Sequence, residues 1–325
     1  MNKILLSGIK PTGEPHLGNY LGALKNWVAL QTSYRTIYSI VDLHALTINI
    51  TPEELEHGTF DLAVDLLALG IDPKRSILFK QSDVVGHTEL AWIFSCLTPV
   101  SELERMTQYK DMAKEKRGTS NAGLFNYPIL QAADILLYKA EYVPVGEDQL
   151  QHLELSRVIA RKFNQRYKQF FTEIKPVLSE TVRVMSLHDP NKKMSKSLGP
   201  KSYIALRDKP DIVRQKIAKA VTDSLEGDTT LGGGHNLLTL FKNFGPSQRY
   251  EEFERQHALK KLSYAELKRE LAEALIAFLA PIQERQAYFE KHPAEVQGYL
   301  AQGAKRAQAI ADKTLEEVRK IIGLS

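Results

Sequence analysis

Three groups of side chains have the types and spacing for chemistry. The first is Pro11-Thr12-Gly13-Glu14-Pro15-His16-Leu17-Gly18-Asn19, set between an apolar run and a helical pattern. Where a strand turns into a helix, unpaired amides and the helix dipole favour a phosphate. His16 could share charge developing on a phosphoryl oxygen, and Gly18 would let a base or ribose approach the backbone. A plain strand-to-helix turn would use the same prolines and glycines. The second group is Lys193-Met194-Ser195-Lys196-Ser197, preceded by Lys192. Two ammonium groups with hydroxyls and amides between them suit a pyrophosphate that must be stabilised as it leaves, although most Lys/Ser stretches are solvated linkers. In the third, Tyr127, Gln131, Asp134, Ile135 and Tyr138 fall on one helix face, mixing aromatic, amide and carboxylate. A buried aspartate there must be paired, by a ligand or by neighbouring segments.

These groups need a scaffold, and the first half of the chain reads as one. Lys3 to Leu6, Thr36 to Val41, Ser76 to Phe79, Tyr142 to Val145 and Val182 to Met185 look like strands separated by helical patterns, which predicts a parallel sheet of strand-helix-strand units. A helix is expected over Tyr20 to Leu30, and another opens at Thr51-Pro52-Glu53-Glu54, a capping box with proline at the first helical position, stopping near Gly70. A further one runs from Pro128 to near Tyr138. Beyond Met185 a basic loop leads to helices, one capped by Ser263 and Glu266 with Leu267, Leu271, Leu275, Phe278 and Ile282 on one face. Gly227 to Gly234 is the expected mobile loop. The fold class is therefore α/β, a Rossmann-like parallel sheet with helices on both faces plus a mostly helical C-terminal domain. Its division is 1–186 as sheet domain with a helical segment inserted at about 45–120, 187–200 as hinge loop, and 201–325 as helical domain, with the last helix able to pack back on the first.

Composition excludes some classes. Of 325 residues 43% are hydrophobic and 25% charged, ordinary for a folded chain and unlike a disordered one. The net charge of +4 permits a polyanionic partner without requiring it. A single cysteine, Cys96, rules out an internal disulfide or a cysteine-rich zinc site, and its apolar neighbours predict a small buried hydrophobe. With no secretory leader and no long apolar run, the expectation is a cytoplasmic protein with no membrane span.

Taken in order, the first two groups resemble the paired HIGH and KMSKS signatures of class I aminoacyl-tRNA synthetases. The second matches letter for letter; the first has Asn19 where the general pattern ends in histidine. Within the class, Ser7-Gly8-Ile9, Pro11-Thr12-Gly13 and Gly18-Asn19-Tyr20-Leu21-Gly22-Ala23-Leu24 look like the tryptophan-specific branch. So do Val41-Asp42 with His44-Ala45, Glu102 to Gln108, Ala132 to Tyr138, Val143 to Gln149, and Ala220 to Ser224.

The resemblance implies activation of L-tryptophan by ATP with Mg²⁺, then transfer to tRNA(Trp), by a homodimer whose helical domain reads the anticodon. It implies catalytic roles for His16, Asn19, Lys193 and Lys196. Around ATP it places Lys10, Pro11, Thr12, Gly18, Asn19, Gly146, Glu147, Asp148, Val184, Lys193, Met194, Ser195, Lys196 and Ser197. Around tryptophan it places Leu6, Val41, His44, Tyr127, Gln131, Asp134, Ile135 and Gln149. The indole N–H is a donor only, so Asp134 is an apt acceptor for it. Lys110, Lys114, Lys116 and Arg117 read as a solvated face that tRNA or ATP phosphates could approach. Three departures stand out: Lys10 where relatives commonly carry Gln, Gln131 where many carry Met, and Leu198-Gly199 where Asp-Pro is frequent. Gln131 beside Asp134 could also grip a phenol, which keeps a tyrosine-activating relative open. A small-molecule adenylyltransferase and an inert RNA-binding paralogue are the alternatives from other classes.

Overall fold

Ile4–Ile9 forms β1, whose short apolar run is buried at Leu5, Leu6 and Ser7 because it lies at the middle of the sheet. The computed structural model describes residues 3–106, 121–146, 149–177, 182–222 and 232–324. Five parallel strands follow the order β3-β2-β1-β4-β5, where β2 is Arg35–Ile40, β3 Ile77–Lys80, β4 Tyr142–Pro144 and β5 Lys175–Val177. The chain builds outward from β1 to β3 and then returns to add β4 on the other side of β1. That reversal opens a crevice at the carboxyl ends of β1 and β4, the usual ligand position in such sheets.

Alternate residues of the strands enter two separate cores, as the two-residue period of a strand requires. Leu5, Tyr38 and Leu78 face one core with Leu62 to Leu69 and with the later helices around Leu240, Leu271 and Leu300. Leu6, Ile37, Ile77 and Phe79 face the other, with Phe94, Ile135, Phe163 and, from the last helix, Ala307 to Val318. That last helix, Pro293–Ile322, lies against β3: a Cβ on Gly303 would stand 1.8 Å from the Leu78 carbonyl oxygen, so only glycine fits. Arg306 fixes it further by donating to the carbonyls of Pro73 (2.9 Å) and Ser76 (3.1 Å).

The capping box of Thr51 and Glu54 is formed, and its helix runs Pro52–Leu69 to a left-handed Gly70. The helix bearing Leu267 is capped by Ser263 and buries the expected face, with Phe278 packed at its margin. The expected helix over Tyr20 to Leu30 begins earlier, at Leu17, and passes through a π-helical turn at Tyr20–Leu24. The helix expected from Pro128 begins at Ala122, because the Asn121 side chain accepts from the Leu124 amide (2.8 Å) and caps it there. The strand expected at Val182 to Met185 is only a bridge between Met185 and Lys193. The fifth strand is Lys175–Val177, whose Pro176 is tolerated because it lies on the sheet edge. The stretch 45–120, read as a helical insertion, contributes β3 to the sheet. Cys96 is exposed rather than buried, because it caps the end of Gly86–Ser95 on the solvent side. Gly232, Gly233 and Gly234 open the helix Gly233–Phe244, while the rest of the expected mobile loop lies outside the described residues. Among the described residues no helix is long and apolar enough to cross a membrane.

Candidate active site

A cavity of about 310 Å³ opens between the carboxyl ends of β1 and β4. Leu6, Val41, His44, Tyr127, Gln131, Asp134, Ile135 and Gln149 all line it, with Lys10 at its edge. The middle of β1 supplies Leu6 and the residue just past β2 is Val41; the helix Ala122–Leu137 turns Tyr127, Gln131, Asp134 and Ile135 inward on one face. Sequence reasoning missed Ser7, Gly8, Ser39, His87 and Val145 as wall residues. Ser39 is buried and its hydroxyl has no partner among the described residues, leaving it a spare polar group in the wall. The Lys10 ammonium stands 5.5 Å from the Tyr127 ring centroid, and desolvation there lowers its pKa. Burial pushes the Tyr127 hydroxyl up to about 12, so it stays protonated.

Asp134 is 4% exposed and is the hub of the cavity floor. Its Oδ1 accepts from Gln81 Nε2 (2.6 Å) and His87 Nδ1 (2.6 Å), and its Oδ2 from His44 Nε2 (2.7 Å). Burial alone pushes this carboxyl upward, but the charges and hydrogen bonds of His44 and His87 outweigh it and hold it well below the ordinary carboxylate range. An ionised carboxylate offers about four acceptor directions. Three are filled, so one remains, on Oδ2.

The phosphate-type elements meet one another in the segment that follows β1. The His16 amide donates to Asn19 Oδ1 (3.1 Å) and the Asn19 amide to His16 Nδ1 (3.3 Å), a reciprocal cap on the helix that starts at Leu17. Because Nδ1 accepts, the proton of the neutral ring sits on Nε2, which is a donor. Burial, then Lys196 and Lys193, lower His16 to about 4, so the ring is neutral at pH 7. Only glycine fits at position 18 beside the motif's own ring: a Cβ there would lie 2.9 Å from His16 Cε1 and 3.4 Å from Met194 Cβ. The space is taken by the motif's own histidine.

Lys196 Nζ donates to the Thr12 carbonyl (2.7 Å), which docks the lysine loop onto the Pro11-Thr12-Gly13 turn. Desolvation lowers its pKa, partly offset by Glu14 and Asp65. Met194 is buried, with its amide bonded to the Val184 carbonyl (3.0 Å). Ser197 donates its amide to Ser195 Oγ (3.3 Å), and Ser202 Oγ donates to the Ser195 carbonyl (2.7 Å). Val184 thus meets the lysine loop through its backbone, its side chain lying in the core. Gly146 accepts from the Gln149 amide (3.0 Å). Glu147 and Asp148, and the basic cluster Lys110 to Arg117, lie outside the described residues. Tyr203, 5.4 Å from His16 between ring centroids, is a neighbour that no motif announced.

The family model described as tRNA synthetases class I (W and Y) matches residues 2–280. The chain is 47% identical to the tryptophan–tRNA ligase of Caldanaerobacter subterraneus subsp. tengcongensis, covering 99% of this chain and 98% of the relative. It is 45% identical to that of Helicobacter pylori, covering 99% of each. Among solved structures, tryptophanyl-tRNA synthetase of Campylobacter jejuni complexed with ADP and tryptophan superposes with a TM-score of 0.87 at 33% identity, over 99% of this chain and 100% of that one. The enzyme of Mycoplasma pneumoniae gives 0.86 at 35%, over 100% and 99%. The signatures, the reversed strand order and full-length likeness to these proteins agree, and the chain belongs to the class I aminoacyl-tRNA synthetases, in the bacterial tryptophanyl branch.

Proposed function

We propose that this chain activates L-tryptophan with ATP and then esterifies tRNA(Trp). The observation that carries the reading is the buried, ionised Asp134 with one acceptor direction left, in the wall of a cavity also lined by Lys10, two residues before the Thr12 carbonyl on which Lys196 docks. Tryptophan's indole N–H donates to Asp134 Oδ2. One oxygen of its carboxylate, already ionised at neutral pH, bonds to the α-phosphorus while the bond from that phosphorus to the bridging oxygen breaks and pyrophosphate leaves. The neutral His16 donates from Nε2, and Asn19, Lys193 and Lys196 share the developing phosphate charge. The terminal ribose hydroxyl of tRNA then attacks the carbonyl and AMP leaves. Positioning and charge carry the rate, and no side chain need take a proton from the amino acid.

Lys10, Pro11, Thr12, Gly18, Gly146, Glu147, Asp148, Val184, Met194, Ser195 and Ser197 are proposed to surround ATP. Leu6, Val41, His44, Tyr127, Gln131, Ile135 and Gln149 are proposed to surround tryptophan. Mg²⁺ is proposed to ride on the ATP phosphates. Among the described residues no group of three His, Cys, Asp or Glu side chains is arranged to hold a metal ion, and an ion of this kind keeps several waters and binds phosphate oxygens. It would neutralise phosphate charge there. The helical part from 201 on is proposed to read the anticodon and 187–200 to be the hinge, in a cytoplasmic protein. A homodimer is supported by an apolar groove holding Leu46 (56% exposed) and Trp92 (72% exposed), whose cover would be a second copy.

The test is exchange of labelled pyrophosphate into ATP with tryptophan, tyrosine or phenylalanine, without tRNA. Exchange with tryptophan alone is expected. Exchange with tyrosine would overturn the pocket assignment, and none with any amino acid would overturn the activation chemistry.

A further inference from the structure

Two buried side chains outside the expected site control its central carboxylate. Gln81 and His87 are both fully buried, and both donate to Asp134 Oδ1 at 2.6 Å. Gln81 stands at the end of β3 and is fixed there because the next amide, of Ser82, donates to Asp42 Oδ1 (2.9 Å). The His87 ring stacks near Phe79, centroids 6.0 Å apart, and its Nε2 lies 2.8 Å from the Tyr138 hydroxyl. An ionised carboxylate can only accept, so His87 carries a proton on Nδ1. With Nε2 at the Tyr138 hydroxyl and Nδ1 at Asp134, the ring bridges the two and is held at both ends. A carboxylate held by a single bond can swing about its last torsion; held at Oδ1 from two directions it cannot.

We infer that Gln81 and His87 are positioning residues for substrate selection: by saturating Oδ1 they lock the Asp134 plane so that the one open acceptor direction, on Oδ2, meets the indole N–H. This rests on the reading of Asp134 as the indole acceptor. Discrimination against a side chain of the same shape without an N–H therefore depends on residues that need not touch the indole. A site built for a polar group rejects its missing analogue only while its geometry leaves that group's partner unsatisfied.

The test compares kcat/KM in pyrophosphate exchange for tryptophan and for β-(3-benzothienyl)alanine, in which sulfur replaces the indole N–H. His87→Gln puts an amide near the Nε2 position, keeping Tyr138 but losing the donor to Asp134; His87→Asn puts it near Nδ1 and keeps that donor. The ratio should fall roughly ten- to a hundredfold in His87→Gln, the scale of one hydrogen bond to a charged group, with KM for ATP unchanged. In His87→Asn it should return to within about threefold of the parent. Gln81→Met should lower it as His87→Gln does, and serves if that variant does not fold. Equal ratios in His87→Gln and His87→Asn, or a parental ratio in Gln81→Met, would overturn the inference. Asp134→Ala, which has no acceptor, separates the two levels: if it leaves the ratio unchanged, the acceptor reading itself fails. If it collapses the ratio and the other variants do not, only the positioning roles fail.

Discussion

Gly18→Ala isolates the aim of His16 from the rest of the site. The added methyl would stand 2.9 Å from His16 Cε1 and 3.0 Å from Nδ1, while contact with Met194 at 3.4 Å blocks retreat on the other side. The ring must give way by about half an ångström or more, since carbon atoms settle near ~3.5–4.0 Å. It then loses the cap from the Asn19 amide, and its Nε2 proton no longer points at the phosphate position. Loss of a cap costs about 1 kcal/mol, but alanine in place of glycine in a helix returns about 1 kcal/mol. Stability should therefore change by less than about 1 kcal/mol. The rate should not be spared: removing one preorganised donor costs about 10²- to 10³-fold in kcat, about 2.7–4 kcal/mol. The assay is tryptophan-dependent pyrophosphate exchange alongside urea unfolding, with tryptophan affinity measured by fluorescence titration. Near-parental stability and tryptophan affinity with a kcat reduced by that factor is expected. A folded variant exchanging within about threefold of the parent would refute the role assigned to His16 and its geometric dependence on Gly18.

Asp65 is fully buried, accepts from Arg207 Nε (3.0 Å) and Gln286 Nε2 (2.7 Å), and is raised from 3.8 to about 6, chiefly by burial. Between these values the folded chain holds a proton the unfolded chain has lost, so the contribution of this group to stability falls as pH rises from about 4 to 6. Asp65→Asn should remove that dependence, with up to about 3 kcal/mol separating the parent and variant curves across the window; parallel urea midpoints from pH 4 to 7 would count against it. Gly303→Ala forces a methyl onto the Leu78 carbonyl and should destabilise by about 3 kcal/mol or more, read as a lower urea midpoint. Trp92→Asp places a charge in the exposed apolar groove and should shift the sedimenting species from dimer to monomer; an unchanged mass would move the interface elsewhere.

Features set by near neighbours along the chain are legible in the sequence itself. The Thr51-Glu54 box, the Ser263 cap and the inward stripe from Tyr127 to Ile135 depend on residues three or four apart, so type and spacing determine them. The lysine motif is legible because its letters are specific. Short edge strands are not: Lys175–Val177 has too few residues and a proline, and only pairing with β4 makes it a strand. Nor is the requirement for glycine at position 18 by a ring two residues away, whose Cε1 a Cβ would meet at 2.9 Å.

What the tertiary structure alone decided is who meets whom. Lys196 finds the Thr12 carbonyl across 184 residues, and Asp134 is gripped by Gln81 and His87 from 53 and 47 residues away. Local pattern placed Asp134 on a buried face and so required that it be paired. It could not name the partners, because they arrive from the end of β3 and the helix after it, elements brought beside Asp134 by the parallel sheet and the packing on its second face. Sequence determined the chemistry available, and the strand order determined which groups share one carboxylate.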